Sequence, residues 1–148
     1  MHPQRNTASP YKPTSDVLPT GHPQLDVALG VGGLARGRFV EFQSSSPHAN
    51  ISLALRAAAE TQARGGVVAF IDAQHTLDLA HAKSLGVRNE ELLISQPDDP
   101  LMALEIARHI ARSGAVDLII MESLGAIAAA APPERPRAVS EALRGLWY

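Results

Sequence analysis

An α/β fold with a mainly parallel sheet and flanking helices is what this sequence predicts, and three observations predict it. Short apolar runs, VVAFID (67–72), LLISQ (92–96) and VDLIIME (116–122), are bounded by glycine, proline or polar clusters, the pattern of strands covered on both faces. These runs alternate with segments of helical periodicity. Glycines or an Asp-Pro step stand where the helices start and stop, as capping chemistry requires. Strands alternating with helices imply a parallel sheet carrying helices on both faces.

In chain order, residues 1–16 are polar, contain three prolines and read as a flexible arm. Residues 17–148 read as one core domain. Residues 24–29 suit a short helix, and Gly32, Gly33 and Gly37 mark turns. Residues 38–43 (RFVEFQ) alternate apolar and polar side chains, which predicts a strand. Residues 44–50 read as a loop, with Pro47 set against regular structure. Residues 51–64 are helical, with Leu55, Ala58, Ala59 and Gln62 around successive turns and Gly65 and Gly66 as the stop. After the strand 67–72, residues 77–85 form a helix ended by Gly86. Asp99 and Pro100 open a helix that runs to about Arg112, with Leu101, Leu104, Ile106, Ala107 and Ile110 on its buried side and Gly114 closing it. Beyond the strand 116–122, small residues 125–131 lead to PPERP, and residues 137–146 suit a last helix.

Composition narrows the function classes. The 148 residues are 45% apolar, 19% charged and only 4% aromatic, so the core is aliphatic and alanine-rich. Thirteen Lys and Arg against fifteen Asp and Glu leave a net charge of -2, not the basic footprint of a nucleic-acid binder; weak or no direct nucleic-acid binding is expected. The absence of cysteine removes disulfides, thiol nucleophiles and thiolate metal sites. His75 and His81 are six apart and would not share a helical face, so no metal site is expected. No run reaches the roughly 20 apolar residues of a bilayer span, and no apolar leader opens the sequence. The expected setting is the cytoplasm, with no membrane contact.

Three stretches carry a family resemblance. TGHPQLDVALGVGGLARGRFVEF resembles the opening of the RecA family's ATPase core. AFIDAQHTLDLAHAKSLGV resembles the strand and helix after its nucleotide loop. LLISQPDDPLMALEIARHIARSGAVDLIIMES resembles the next two strands and the helix between them. The resemblance runs from about Leu18 to Ser123 without a gap. It implies a partial RecA-like P-loop NTPase core, so that residues 17–148 are a truncated version of that domain.

The same resemblance locates what has changed. The family's P-loop, G-x-x-x-x-G-K-[ST], offers bare backbone N–H groups to phosphates and a lysine to the β/γ oxygens. Here Ser44 and Ala49 stand at the glycine positions, Asn50 at the lysine and Ile51 at the magnesium-binding hydroxyl, and no lysine occurs between Lys12 and Lys83. Each lost charge-assisted hydrogen bond is worth about 1.5–3 kcal/mol. Gln74 stands at the catalytic glutamate, and an amide cannot act as general base. Glu122 replaces the aspartate ending the Walker B strand. The resemblance therefore implies a pseudo-ATPase with no catalytic residue and no cofactor. Residues 44–46 read as a hydrogen-bonded turn in preference to a residual anion site, His48 as a surface residue, and Gln74 and Glu122 as relics.

Other family parts bear on partners. The short proline-bearing arm leaves little room for the helix and strand that dock one RecA protomer on the next. The family's first DNA loop falls near APPERPR, with Arg135 and Arg137 as candidate phosphate contacts against the plainer reading of a solvated turn. In the family a further strand lies between those corresponding to 38–43 and 116–122. Without it, either those two strands meet directly, or unpaired edges call for a homo-oligomer or a hetero-complex. The segment that receives a neighbour's docking element corresponds to Leu92, Leu93 and Ile94 with Leu101, Leu104, Glu105 and Arg108; the plainer reading makes these core and helix face.

The leading expectation is a non-catalytic regulator of RecA filaments or of SOS and mutagenic repair. ImuA-type proteins, RecA-related and with degraded nucleotide loops, are the functional analogy. The partner would be a RecA recombinase or a mutagenic-repair polymerase accessory protein. The competing expectations are a scaffold on a retired ATPase fold unrelated to repair, an enzyme with residual nucleotide chemistry, and a decaying fragment.

Overall fold

A computed structural model describes residues 17–122. Its elements in order are β1 (Val17–Leu18), α1 (Pro23–Ala28), β2 (Leu34–Ala35), α2 (Pro47–Ala63), β3 (Val68–Ile71), α3 (Leu79–Ser84), a 3-10 turn (Asn89–Glu91), β4 (Leu92–Ser95), α4 (Pro100–Ser113) and β5 (Leu118–Met121). The arm at 1–16, the small-residue stretch, the last helix, Arg135 and Arg137 lie outside the described residues.

The central sheet has the order β4-β3-β5, and both pairings are parallel. Val68, Ala69, Phe70 and Ile71 of β3 are all buried, because helices cover both faces. Successive side chains point to opposite faces. Val68 and Phe70 join Leu55 and Ala58 of α2, Ala82 of α3 and Ile120 of β5. Ile71 joins Ala103, Leu104 and Ala107 of α4 on the other face. The expected α/β architecture is present.

Capping sets the helix limits. Asp78 accepts hydrogen bonds from the N–H groups of Ala80 and His81 at the start of α3. Asp99 does the same for Leu101, ahead of Pro100 in the first turn of α4, and Gly114 ends α4 in the left-handed conformation. Helix α2 begins at Pro47, four residues before the expected start. Proline carries no N–H and the first helical turn needs none there, so Pro47 starts this helix instead of excluding it. Ala49 and Asn50 consequently sit in a helix and not in a loop, continuous with Ile51.

Residues 38–43 are not a strand. The chain there is without ladder partners among the described residues, and Phe39 and Val40 remain 43% and 44% exposed. An alternating pattern forms a strand only where a neighbour accepts its hydrogen bonds. The expected direct meeting of this segment with the strand now seen as β5 is also absent. A cleft of about 1080 Å³ lies between them. The strand that does form on this side is the small antiparallel pair β1–β2, which the sequence reading did not foresee.

Gln62 fixes the entry to β4. Its buried side chain donates from Nε2 to the Arg88 carbonyl at 2.9 Å and accepts from the Arg88 N–H at 2.8 Å, replacing the partner a strand would supply. Arg88 in turn donates to the Gln62 carbonyl at 2.6 Å.

Two substitutions test this packing. Phe70→Ala empties the centre of the larger core cluster and is expected to cost about 3–5 kcal/mol in urea-induced unfolding. Gly33 has φ +149°, and a Cβ there would run into the Leu18 carbonyl. Gly33→Ala is expected to cost about 1–3 kcal/mol and to disturb the β1–β2 amide signals in NMR ahead of those of β3.

Candidate functional site

The carboxyl ends of parallel strands are where α/β sheets bind ligands; two features meet there, and a third lies along the side of the sheet. The first is the turn before α2. Ser44 Oγ accepts from the Ser46 N–H at 3.1 Å and donates to the Ser46 carbonyl at 2.8 Å. The Ser46 carbonyl also receives the Ala49 N–H at 3.1 Å and the Asn50 N–H at 3.4 Å. The expected hydrogen-bonded turn is therefore present, and it uses N–H groups internally. Ile51 packs against the larger core cluster. The nearest hydroxyl, Ser52 Oγ, donates to the His48 carbonyl and meets His81 Nε2 at 2.9 Å.

The second feature is the loop after β3. Asp72 is wholly buried and accepts from the N–H of Thr76 at 2.9 Å, the N–H of Leu77 at 3.2 Å and Gln96 Nε2 at 3.0 Å. Burial opposes ionisation of this carboxyl. The hydrogen bonds from Gln96, Thr76 and Leu77 and the nearby His75 outweigh that effect and hold its pKa below the ordinary 3.8. The sequence reading missed Asp72; the available signal was a charged residue ending an otherwise apolar run. Gln74 is exposed on the same loop. Thr76 Oγ1 donates to Glu122 Oε2, tying the loop to the end of β5. Glu122 and Gln74 both line the cleft beside β5, as do Ser44 and Asn50. Ala49 and Ile51 are in the same first turns of α2, so the positions the resemblance singled out do converge on one region.

The third feature is the outer edge of β4. Leu93 and Ile94 are 53% and 41% exposed, and Met102 of α4 is 55% exposed. Leu92 and Leu104 are buried and pack in the two core clusters, so these two residues of the expected docking surface cannot meet a partner. Leu101 is half-buried against the α4-side cluster. Glu105 and Arg108 pair with each other at 2.9 Å, one turn apart. Among the described residues no group of three or more His, Cys, Asp or Glu is placed to hold a metal. No helix among them is long and apolar enough to cross a membrane.

The profile of the RecA N-terminal domain matches residues 7–138. This chain belongs to the RecA family. It is 45% identical to Protein RecA of Geobacter metallireducens over 144 residues, covering 90% of this chain and 42% of the relative. It is 49% identical to Protein RecA 1 of Myxococcus xanthus over 140 residues, covering 88% and 41%. Against Protein RecA of Thermus thermophilus the identity is 47% over 141 residues, covering 88% and 42%. The chain thus spans about two-fifths of the length of these RecA proteins, and its α/β core is that of the family's N-terminal domain.

The buried carboxylate gives a pH test. A carboxyl whose folded pKa lies below its unfolded value contributes stability above the unfolded pKa and loses it as pH falls through the folded one. Urea midpoints measured from about pH 5 down to pH 2 are expected to fall more steeply for the native chain than for Asp72→Asn. At neutral pH the substitution is expected to cost about 1.5–3 kcal/mol, with the 72–77 loop losing amide protection first.

Proposed function

We propose that this RecA-family chain works by protein–protein contact and without ATP turnover, as a regulator of recombinase filaments in the response to DNA damage. The observation that carries this reading is the segment 44–51, a serine turn followed by the first turn of α2. It closes on the Ser44 hydroxyl and carries Ala49, Asn50 and Ile51 where phosphate binding calls for glycine, lysine and a hydroxyl. Gln74 and Glu122 lie at the same end of the sheet, and an amide at the first position supplies no general base.

The contact surface is the edge of β4 that has no partner strand among the described residues, with the adjoining start of α4. A strand edge presents unpaired N–H and C=O groups in a row and readily accepts another strand. Leu93, Ile94 and Met102 add exposed apolar area beside it, and the Glu105–Arg108 pair borders it. An extended segment and helix from a RecA recombinase protomer fit this surface. A chain seated at one filament end in this way stops further growth. A mutagenic-repair polymerase accessory protein is the alternative partner for the same edge. Homo-oligomerisation through it is the third arrangement the unpaired edge permits.

Capture of the cognate recombinase by immobilised chain, with and without ATP and single-stranded DNA, tests this directly. Binding is expected, and Leu93→Glu is expected to weaken it more than about tenfold, equivalent to about 1.4 kcal/mol. Because Leu93 is a surface position, its unfolding free energy should stay within about 0.5 kcal/mol of the native chain. No capture in either state points instead to a scaffold outside recombination. Calorimetry with Mg-ATP is expected to show affinity weaker than about 10 μM; tighter binding with turnover overturns the non-catalytic reading.

A further inference from the structure

Among the described residues, His75 is the one non-glycine residue with a left-handed backbone, φ 55°. That region disfavours a side chain, so the imidazole there calls for an account from its surroundings. It projects from the loop 72–77, and carboxylates come toward it from two other elements. Asp72, at the end of β3, is buried and close enough to interact electrostatically with the ring. Asp98, between β4 and α4, places Oδ1 3.7 Å from His75 Nε2. The remaining acids around the loop are already engaged. Glu122 at the end of β5 accepts from the Thr76 hydroxyl, and Asp78 and Asp99 cap α3 and α4.

The segment 96–99 has one fixed tie to this loop. Gln96 donates to Asp72 at 3.0 Å, and the next residue, Pro97, is buried. Asp98 follows with a fully exposed side chain. Asp99 then starts α4, accepting the N–H of Leu101 at 2.7 Å and, on its carbonyl, that of Ala103 at 3.1 Å. A separation of 3.7 Å is too long for a hydrogen bond, so a neutral ring does not hold Asp98. A protonated ring carries a donor on both nitrogens and binds a carboxylate at about 2.7–2.9 Å. An exposed side chain closes a gap of about 1 Å without disturbing the core.

We propose that His75 is a proton-operated clasp: once charged, it draws in Asp98 and fixes the segment that leads into α4. Histidine changes charge between about pH 5 and 8, so the clasp closes on the acid side of neutrality and opens on the alkaline side. The Asp72–Gln96 tie does not change over that range, because the amide gains no proton and the pKa of Asp72 lies below the ordinary 3.8. The clasp acts where α4 begins, beside the β4 edge. Only its effect on partner capture rests on the contact surface proposed above; the clasp itself is tested without a partner.

The readout is NMR amide protection at Leu101 and Ala103, corrected for the intrinsic pH dependence of exchange, at about pH 7.5 and about pH 5.5. Protection is expected to rise about two- to fivefold at the lower pH, the gain an exposed ion pair supports. Asp98→Asn is expected to lose this rise, and so is His75→Asn, since asparagine tolerates the left-handed backbone. The native chain in about 1 M salt is expected to lose it as well, a comparison that needs no variant. Equal protection of the native chain at both pH values overturns the inference. A rise that persists in Asp98→Asn or in salt assigns the proton to a different contact, and one that persists in His75→Asn assigns it to a different group; either result removes the clasp.

Discussion

Asp72 ends the buried strand β3 with a carboxylate that has no solvent contact. A charge in that position is tolerable only when its oxygens are fully engaged, and the loop 72–77 is folded to engage them. The same carboxylate reaches across to Gln96 beyond β4, while Thr76 of the loop reaches Glu122 beyond β5. One buried anion thus organises the chain at the carboxyl ends of all three parallel strands. The rim of the sheet keeps its shape through side-chain hydrogen bonds formed within the protein.

This hydrogen-bonded rim lies outside the packed centre of the RecA-family core. The two hydrophobic clusters, one against α2 and α3 and one against α4, involve Ile51 but neither Ser44, Asn50, Gln74 nor Glu122. Of these five positions, only Ile51 adds to the packing. Changes at the other positions bear on what the rim can bind and little on whether the sheet assembles.

The sequence revealed β3, β4 and β5 because each is an apolar run stopped by turn residues, and it revealed α4 because Asp99, Pro100 and Gly114 mark both ends. Other elements depend on information that local pattern lacks. The pair β1–β2 has two residues per strand, too few to show any period. Segment 38–43 has the alternation of a strand, but pairing is a property of its neighbours. Pro47 was read as a breaker because its position relative to the first turn decides its effect, and that position was not known. In the β4–α4 region the sequence placed Leu92 and Leu93 in one strand but could not separate Leu93, which faces outward, from Leu92, which faces the core. Asp72 escaped notice because burial of a single carboxylate is decided by three donors, of which only Gln96 contributes a side chain.

Two glutamines illustrate how differently one residue type can be constrained. Gln62 both donates to and accepts from the same residue, Arg88. A glutamate there keeps the shape but turns one attraction into an oxygen facing an oxygen. Gln74 is exposed, and among the described residues no such pair of hydrogen bonds holds it. Exchange of amide for acid therefore breaks a buried hydrogen bond at the first position and leaves the described contacts intact at the second. An acid at position 74 would stand beside the crevice without cost to the packed core, whereas an acid at position 62 would weaken the junction between α2 and the entry to β4.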